Sequence, residues 1–192
     1  METKKFTILI ADKSHAGYIK QILKTIEESA KVRGTGIAHR TYQYLFKKMK
    51  EGKAVIALCG TEFAGFSYIE TWENKKFIAT SGLIVANRFR GQGLSWEIKQ
   101  KTFQIARERW PNAKIFSITT GSAVMRMNEK LGYRSVALSD LTKDETFWQG
   151  CKECRNHDIL ERSQRKFCCC SAMMFDSSDQ LCISKLHALK NL

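Results

Sequence analysis

The residues best placed to do chemistry lie in the stretch RFRGQGLSWE (88–97). Gly91 and Gly93 stand two apart, flanked by Arg88 and Arg90. They follow the apolar run GLIVA (82–86) and lead into an amphipathic segment. A strand that turns into a helix through glycines aims unpaired N–H groups and the positive helix end at one point. Bare backbone lets an anion come close, so the junction suits a phosphate or pyrophosphate. Two nucleotide-binding loops are excluded. Trp96 occupies the position where a dinucleotide loop needs its third glycine, and no Gly-Lys-Ser/Thr follows. A second group is the set of cysteines Cys151-x-x-Cys154 and, thirteen residues on, Cys168-Cys169-Cys170. A CxxC pair with two further thiolates can make a closed tetrahedral zinc site. Residues two apart on a strand share a face. The expected ligands are therefore Cys151, Cys154, Cys168 and Cys170, with His157 as substitute, and the metal would be structural. Free thiols are the first alternative, and a redox or disulfide role the second.

Elements that position these groups can be read from periodicity. KFTILIA (5–11) alternates as a strand, and Ile19, Ile22, Leu23 and Ile26 recur at helical spacing behind Asp12 or Ser14 as cap. After RGTG (33–36), Tyr42, Leu45, Phe46 and Met49 mark a second helix ending near Gly52. KAVIALC (53–59), EFAGFSYIETW (62–72) and KFIATSGLIVA (76–86) read as strands, the third bulged at Gly82. GLSWEIKQKTFQIARERW is a helix with Pro111 past its end. AKIFSITT (113–120) is a strand, SAVMRMNEKLG a helix stopped at Gly132, and YRSVALS (133–139) a strand. CSAMMFD supplies a last strand, and SDQLCISKLHALKNL a final helix. The order implies an α/β (α+β) fold, a single mixed, mostly antiparallel sheet flanked by helices. The core is expected over 1–140. A Cys-rich segment over 141–192 would pack on it.

Arg88-x-x-Gly91-x-Gly93 between its strand and its helix resembles the acyl-CoA pyrophosphate loop of the GNAT superfamily of N-acyltransferases. NEKLGY (128–133) is similar to that superfamily's later helix-and-strand signature. The resemblance covers the element order from residue 5 to about 139. It implies acetyl-CoA, or another acyl-CoA, as co-substrate. The pyrophosphate would lie on the amides of Gly91, Gln92, Gly93, Leu94, Ser95 and Trp96, helped by Arg88 and Arg90. The pantetheine arm would pair with the strand at Leu83, Ile84 and Val85, which would splay from its neighbour. Transfer would be direct attack of an amine on the thioester, with an N–H near Val85 as oxyanion donor. Many members carry a tyrosine as general acid where this chain has Asn128. An amide can bond CoA or polarise a leaving group but cannot donate a proton as a phenol does. Tyr133 is the nearby alternative. Glu70 is the candidate base, ahead of Tyr68 and Ser81.

IAHRTYQYL (37–45) and LSDLTKDETFW (138–148) resemble segments of N-acetylglutamate synthases, whose arginine reaches the acceptor's carboxylate. An acidic amino acid needs cations at both carboxylates, preferably arginines. Arg40 is expected at one, and Arg33, Lys75 or a residue near Arg165 at the other. The implied activity is transfer of an acetyl or succinyl group to a small amino acid, glutamate first. A protein N-terminus, a lysine or a polyamine is the alternative acceptor.

With 192 residues, 43% of them hydrophobic, the chain can bury a real core. No apolar run approaches 18 residues, so no membrane span is expected. The first apolar run is too short and too alternating for an export signal, so a reducing, cytoplasmic compartment is expected. All of the seven cysteines but Cys59 lie beyond residue 150. A net charge of +13 attracts polyanions. The positives are spread, however, and no aromatic–basic motif accompanies them, so a zinc-bearing nucleic-acid-binding module stays a second alternative. Oligomeric state is open, a homodimer included.

Overall fold

The computed structural model describes residues 5–33, 40–152 and 154–178. Its centre is a seven-stranded sheet in the order β1-β2-β3-β4-β5-β7-β6. The strands are β1 (Phe6–Ala11), β2 (Ala54–Cys59), β3 (Glu62–Trp72), β4 (Phe77–Val85), β5 (Lys114–Thr119), β6 (Arg134–Val136) and β7 (Ser171–Phe175). All neighbours are antiparallel except β4 and β5, which run parallel. The helices are α1 (Ile19–Arg33), α2 (Tyr42–Lys50), α3 (Leu94–Arg109), α4 (Ser122–Lys130), α5 (Glu145–Gln149) and α6 (His157–Arg162). This is the mixed, mostly antiparallel sheet with flanking helices that the element order implies.

Strand alternation splits the core into layers. Ala54 and Ile56 of β2, with Phe66 and Tyr68 of β3, face α1 and α2 through Ile19, Ile22, Leu45 and Met49. Val55, Ala57 and Ile69 face the other way, onto Leu94, Ile98, Ile105 and Ala106 of α3. Ala79 and Phe116 share a third cluster with Trp148, Leu160, Ala172 and Met174. The segment after residue 140 is thus built into the sheet, because β7 lies between β5 and β6.

Two differences from the sequence reading have local causes. A 3-10 turn (Lys13–Tyr18), capped by Asp12, precedes α1. The strand expected over 133–139 shrinks to β6, since Leu138–Asp140 turns back into a 3-10 helix. On α3 the buried face is Leu94, Ile98, Lys99, Thr102, Ile105 and Ala106, whereas Trp96 and Phe103 are half-buried. The final helix expected after Ser178 lies outside the described residues.

Candidate functional site

Gly93 opens α3 in the left-handed region (φ 80°) and brings no capping side chain. Among the first amides of α3, that of Trp96 already donates to the Gly93 carbonyl at 2.9 Å, so it is those of Leu94 and Ser95 that face outward, and the helix dipole adds positive potential there. Gly91 is also left-handed (φ 74°). A Cβ at either position would meet nothing within 4 Å, so the space above both is open to a ligand. Arg90 ties this loop down. Its Nε donates to the Val85 carbonyl at 3.2 Å and a terminal nitrogen donates to Ser29 Oγ at 3.0 Å. Leu83, Ile84, Val85, Arg90, Gly91, Gly93, Leu94 and Ser95 line one cavity, closed on its far side by Ala123, Val124 and Met127 of α4. Arg88 instead pairs with Glu62, and its guanidinium lies over the Phe89 ring. The exposed Gln92 side chain donates to the Arg88 carbonyl, and Trp96 packs under Lys130.

Parallel pairing of β4 with β5 covers only Phe77–Lys114, Ile78–Ile115 and Ala79–Phe116. Beyond Ala79 the strands part, and among the described residues no strand lies beside the β4 edge that faces β5. Gly82 (φ 65°) makes the expected bulge, and the β3–β4 register shifts there. A Cβ at Gly82 would stand 2.2 Å from Tyr68 Cε1. The wedge opens into a second cavity of about 400 Å³, which shares Leu83, Ile84 and Val124 with the first. One continuous cleft therefore runs from the glycine loop to the sheet interior.

At the α2 end of this cleft stands a charged, aromatic cluster. Thr41 caps α2 by accepting from the Tyr44 amide at 3.1 Å, which places Arg40 just before the helix and Tyr44 one turn in. Arg40 Nε donates to the Tyr68 hydroxyl at 2.5 Å, and its guanidinium lies 5.1 Å from the Tyr44 ring centre. Glu70 is almost buried (9% exposed). Its carboxylate accepts from the Tyr44 hydroxyl and, at 3.0 Å, from Ser81 Oγ. Burial disfavours the Arg40 charge, but Tyr68 and Glu70 more than offset it, so its pKa rises. Burial, reinforced by Glu70, drives the Tyr44 and Tyr68 hydroxyls well above their ordinary value and keeps them neutral. Arg40, Tyr44, Tyr68, Glu70 and Ser81 all line the cavity.

Other expected residues are not brought there. Asn128 is fully buried under β7, its amide donating to Met173 Sδ at 3.5 Å, and it lines neither cavity. Tyr133 is packed between Phe103 and Phe175 and keeps its proton through burial. Lys75 sits in the left-handed turn after β3. Arg165 makes a two-pronged ion pair with Glu145 at 2.6 and 2.7 Å. The Arg33 side chain lies outside what the structure describes. Among the described residues, neither Lys75 nor Arg165 is brought to the Arg40 end of the cavity as a second cation.

The zinc site finds no support. Among the described residues no group of three or more His, Cys, Asp or Glu is arranged to hold a metal ion. The expectation needed strand alternation at Cys168 and Cys170, but β7 begins only at Ser171 and the cysteines precede it in irregular backbone. Cys151, Cys154, Cys168 and Cys170 do line the same cavity. Burial, then the neighbouring thiols, pushes Cys151 up to about 11 and Cys170 up to about 12.

Three contributors escape the sequence reading: Tyr44, Thr80 and Lys99, all lining the cavity. The signal for Lys99 was present, since it falls in phase with Thr102 and Ala106 on the apolar face of α3. Trp72 Nε1 is buried in the same cavity with no hydrogen-bond acceptor among the described residues.

A parallel strand pair that splays beside a glycine-opened helix, inside this sheet order, is the N-acyltransferase fold of the GNAT type. Solved structures agree. N-acetylglutamate synthase from Neisseria gonorrhoeae, complexed with coenzyme A and N-acetyl-glutamate, superposes with a TM-score of 0.64 at 15% identity, over 91% of this chain and 36% of that one. This chain thus spans about a third of that synthase. Rv2747 from Mycobacterium tuberculosis, in complex with CoA, gives 0.61 at 14% identity, over 88% and 98%. The protein yncA from Salmonella typhimurium, with its cofactor acetyl-CoA, gives 0.60 at 13% identity, over 90% and 94%. At such identities the likeness is one of fold. No protein-family model matches the sequence, and no curated protein matches it significantly. No helix among the described residues is long and apolar enough to cross a membrane.

Proposed function

We propose that this chain is an acyl-CoA-dependent N-acyltransferase. It passes an acetyl or succinyl group from CoA directly to the amine of a small amino acid, glutamate first. The observation that carries this reading is the end of β4–β5 pairing at Ala79–Phe116, which leaves a strand edge open between an anion-binding helix start and the Arg40–Glu70 cluster.

In this reading CoA's pyrophosphate lies on the amides from Gly91 to Ser95, with Arg90 beside it. The pantetheine arm takes the place of a strand along β4, from Leu83–Val85 toward Thr80, and a main-chain N–H of that freed edge beside the sulfur donates to the oxyanion. Glu70, held by Tyr44 and Ser81, takes the proton the acceptor amine must lose. Arg40 binds an acceptor carboxylate, the type of group for which a guanidinium fork is shaped. The N-acetyl-glutamate in the Neisseria synthase crystal supports glutamate as the acceptor.

The test is acylation followed by mass. Purified protein receives acetyl-CoA or succinyl-CoA with each amino acid in turn, and products are weighed, because seven cysteines would confound a thiol dye. N-acylglutamate that falls at least tenfold with Arg40→Ala supports the reading. CoA binding without any acylated amino acid sinks it and turns the search to protein N-termini, lysines and polyamines.

A further inference from the structure

Lys99 sits where an ammonium loses its water. It is 2% exposed on the apolar face of α3. Its Nζ donates to Thr80 Oγ1 at 2.9 Å and lies 5.2 Å from the centre of the Tyr133 ring. The titratable side chain facing it from the α4–β6 junction is Tyr133, whose buried hydroxyl beside Thr80 stays neutral. From β4 comes Thr80, an uncharged hydroxyl. Burial alone depresses the lysine to about 7, with no carboxylate or second cation contributing. Stability does not explain such a residue, because an apolar side chain of the same length would fill the space without the cost of burying a charge.

Its position does. Thr80 is the first residue past the last β4–β5 pair, so it stands at the apex of the wedge. Thr80, Lys99 and Ser117 all line the cleft. From Val85, beside the glycine loop, to Thr80 is five residues of strand, roughly 16 Å at about 3.3 Å each. An extended pantetheine arm covers a comparable length, which brings its sulfur to the apex. Asn128, buried away from the cleft, offers no proton there.

We infer that Lys99 and Thr80 form the relay that protonates the departing CoA sulfur. The inference rests on the acyltransferase reading above. The amine lone pair forms the C–N bond and the carbonyl oxygen takes the charge. When the intermediate collapses, the C–S bond breaks and its electron pair goes to sulfur. Sulfur takes the Thr80 hydroxyl proton as Thr80 takes one from the Lys99 ammonium. Lys99 is left as the amine, and the proton released by the acceptor amine through Glu70 to solvent balances the one consumed. Lys99 acts through Thr80, so it is the relay's proton source and Thr80 the group that meets sulfur. A lysine at its ordinary pKa would give up its proton reluctantly to a thiolate, whereas one near 7 is both populated and acidic at neutral pH.

The test uses the full chain. With acetyl-CoA and glutamate, kcat of the unmodified enzyme should fall above pH 7 as Lys99 loses its proton. Lys99→Met and Thr80→Val should lower kcat about 100-fold and abolish that limb, while Thr80→Ser keeps it. CoA Kd by calorimetry should stay within about threefold, which a collapsed site would not allow. A Lys99→Met enzyme with the original limb and kcat within about threefold overturns the relay. If CoA binds but glutamate is not acylated, the acceptor assignment falls and the relay is judged by ultraviolet titration of the bound CoA thiol. Loss of the ammonium should raise that thiol's pKa by about one or more; an unchanged titration overturns the relay. If CoA does not bind at all, the cofactor reading and the relay fall together.

Discussion

Replacing Lys99 with methionine should stabilise the protein, and by an amount that depends on pH. The folded chain holds Lys99 near pH 7 because burial strips its ammonium of water, whereas the unfolded chain holds it at the ordinary 10.5. Between those values the folded state binds fewer protons than the unfolded state, so stability rises with pH through the window and the penalty is complete below it. At about 1.4 kcal/mol per pH unit, the buried ammonium costs roughly 5 kcal/mol below neutrality. Lys99→Met removes that cost but also loses the bond to Thr80 Oγ1, worth about 1 kcal/mol. The net gain at pH 6 is about 4 kcal/mol. At roughly 2–4 °C per kcal/mol for a chain of this size, the midpoint should rise by about 10 °C. At pH 9.5 only about 1 kcal/mol of the penalty remains, and the lost bond cancels it. Thermal melts of both proteins at the two pH values decide the matter. An equal gap at both, or no gap at pH 6, would show that Lys99 is not a desolvated cation and would remove the ground for its acidity. A stabilised variant with lost activity is the trade expected where a fold keeps a costly group for function.

Three further outcomes follow from the same geometry. Gly93→Ala should weaken CoA binding about tenfold while lowering stability by only about 1–2 kcal/mol. The left-handed φ is strained for alanine, nothing crowds its Cβ, and that methyl would stand where a phosphate must approach. Calorimetry with CoA and a urea melt separate the two effects. Gly82→Ala should cost about 3 kcal/mol in a denaturant titration, because its Cβ would force the Tyr68 ring, and with it the Arg40 contact, to move. Alkylation with iodoacetamide at pH 8, read by mass, should modify exposed Cys169 well before Cys151 and Cys170, whose thiols burial holds at about 11 and 12. Equal rates at the three sites would contradict the buried thiol cluster.

The glycine loop is legible in the sequence because its requirements are local. A left-handed residue at a helix start, with a ligand above it, calls for glycine whatever the rest of the chain does. The strand before it and the helix after it carry their own periodicities. Strand pairing is not local. Nothing in CSAMMFD says that it enters between β5 and β6, yet that insertion brings Trp148, Leu160 and the cysteines to the cleft. The spacing that suggested zinc depended on an alternation that holds only inside a strand, and β7 starts at Ser171, past all three adjacent cysteines.

The acceptor end shows the same division. Arg40 reads as a helix-start cation, and the structure does set it before α2. What makes the position useful is its partners: Tyr44 one turn on, and Tyr68 and Glu70 two apart on one face of β3. Pairing Tyr68 with Ser81 across β3 and β4 then lets the Ser81 hydroxyl reach Glu70. Each link is ordinary. Their convergence needs the antiparallel register, which the Gly82 bulge shifts by a residue. Asn128 fails for the opposite reason. Its place in NEKLGY aligned it with a catalytic position, but α4 turns that side chain under Met173. Lys99 is polar by residue type, yet its phase puts it with Thr102 and Ala106 on the buried face of α3. Where residue type and helical phase disagree, the conflict itself marks a place where the fold tolerates a cost, and the β4 edge that parts from β5 after Ala79 lies directly against it.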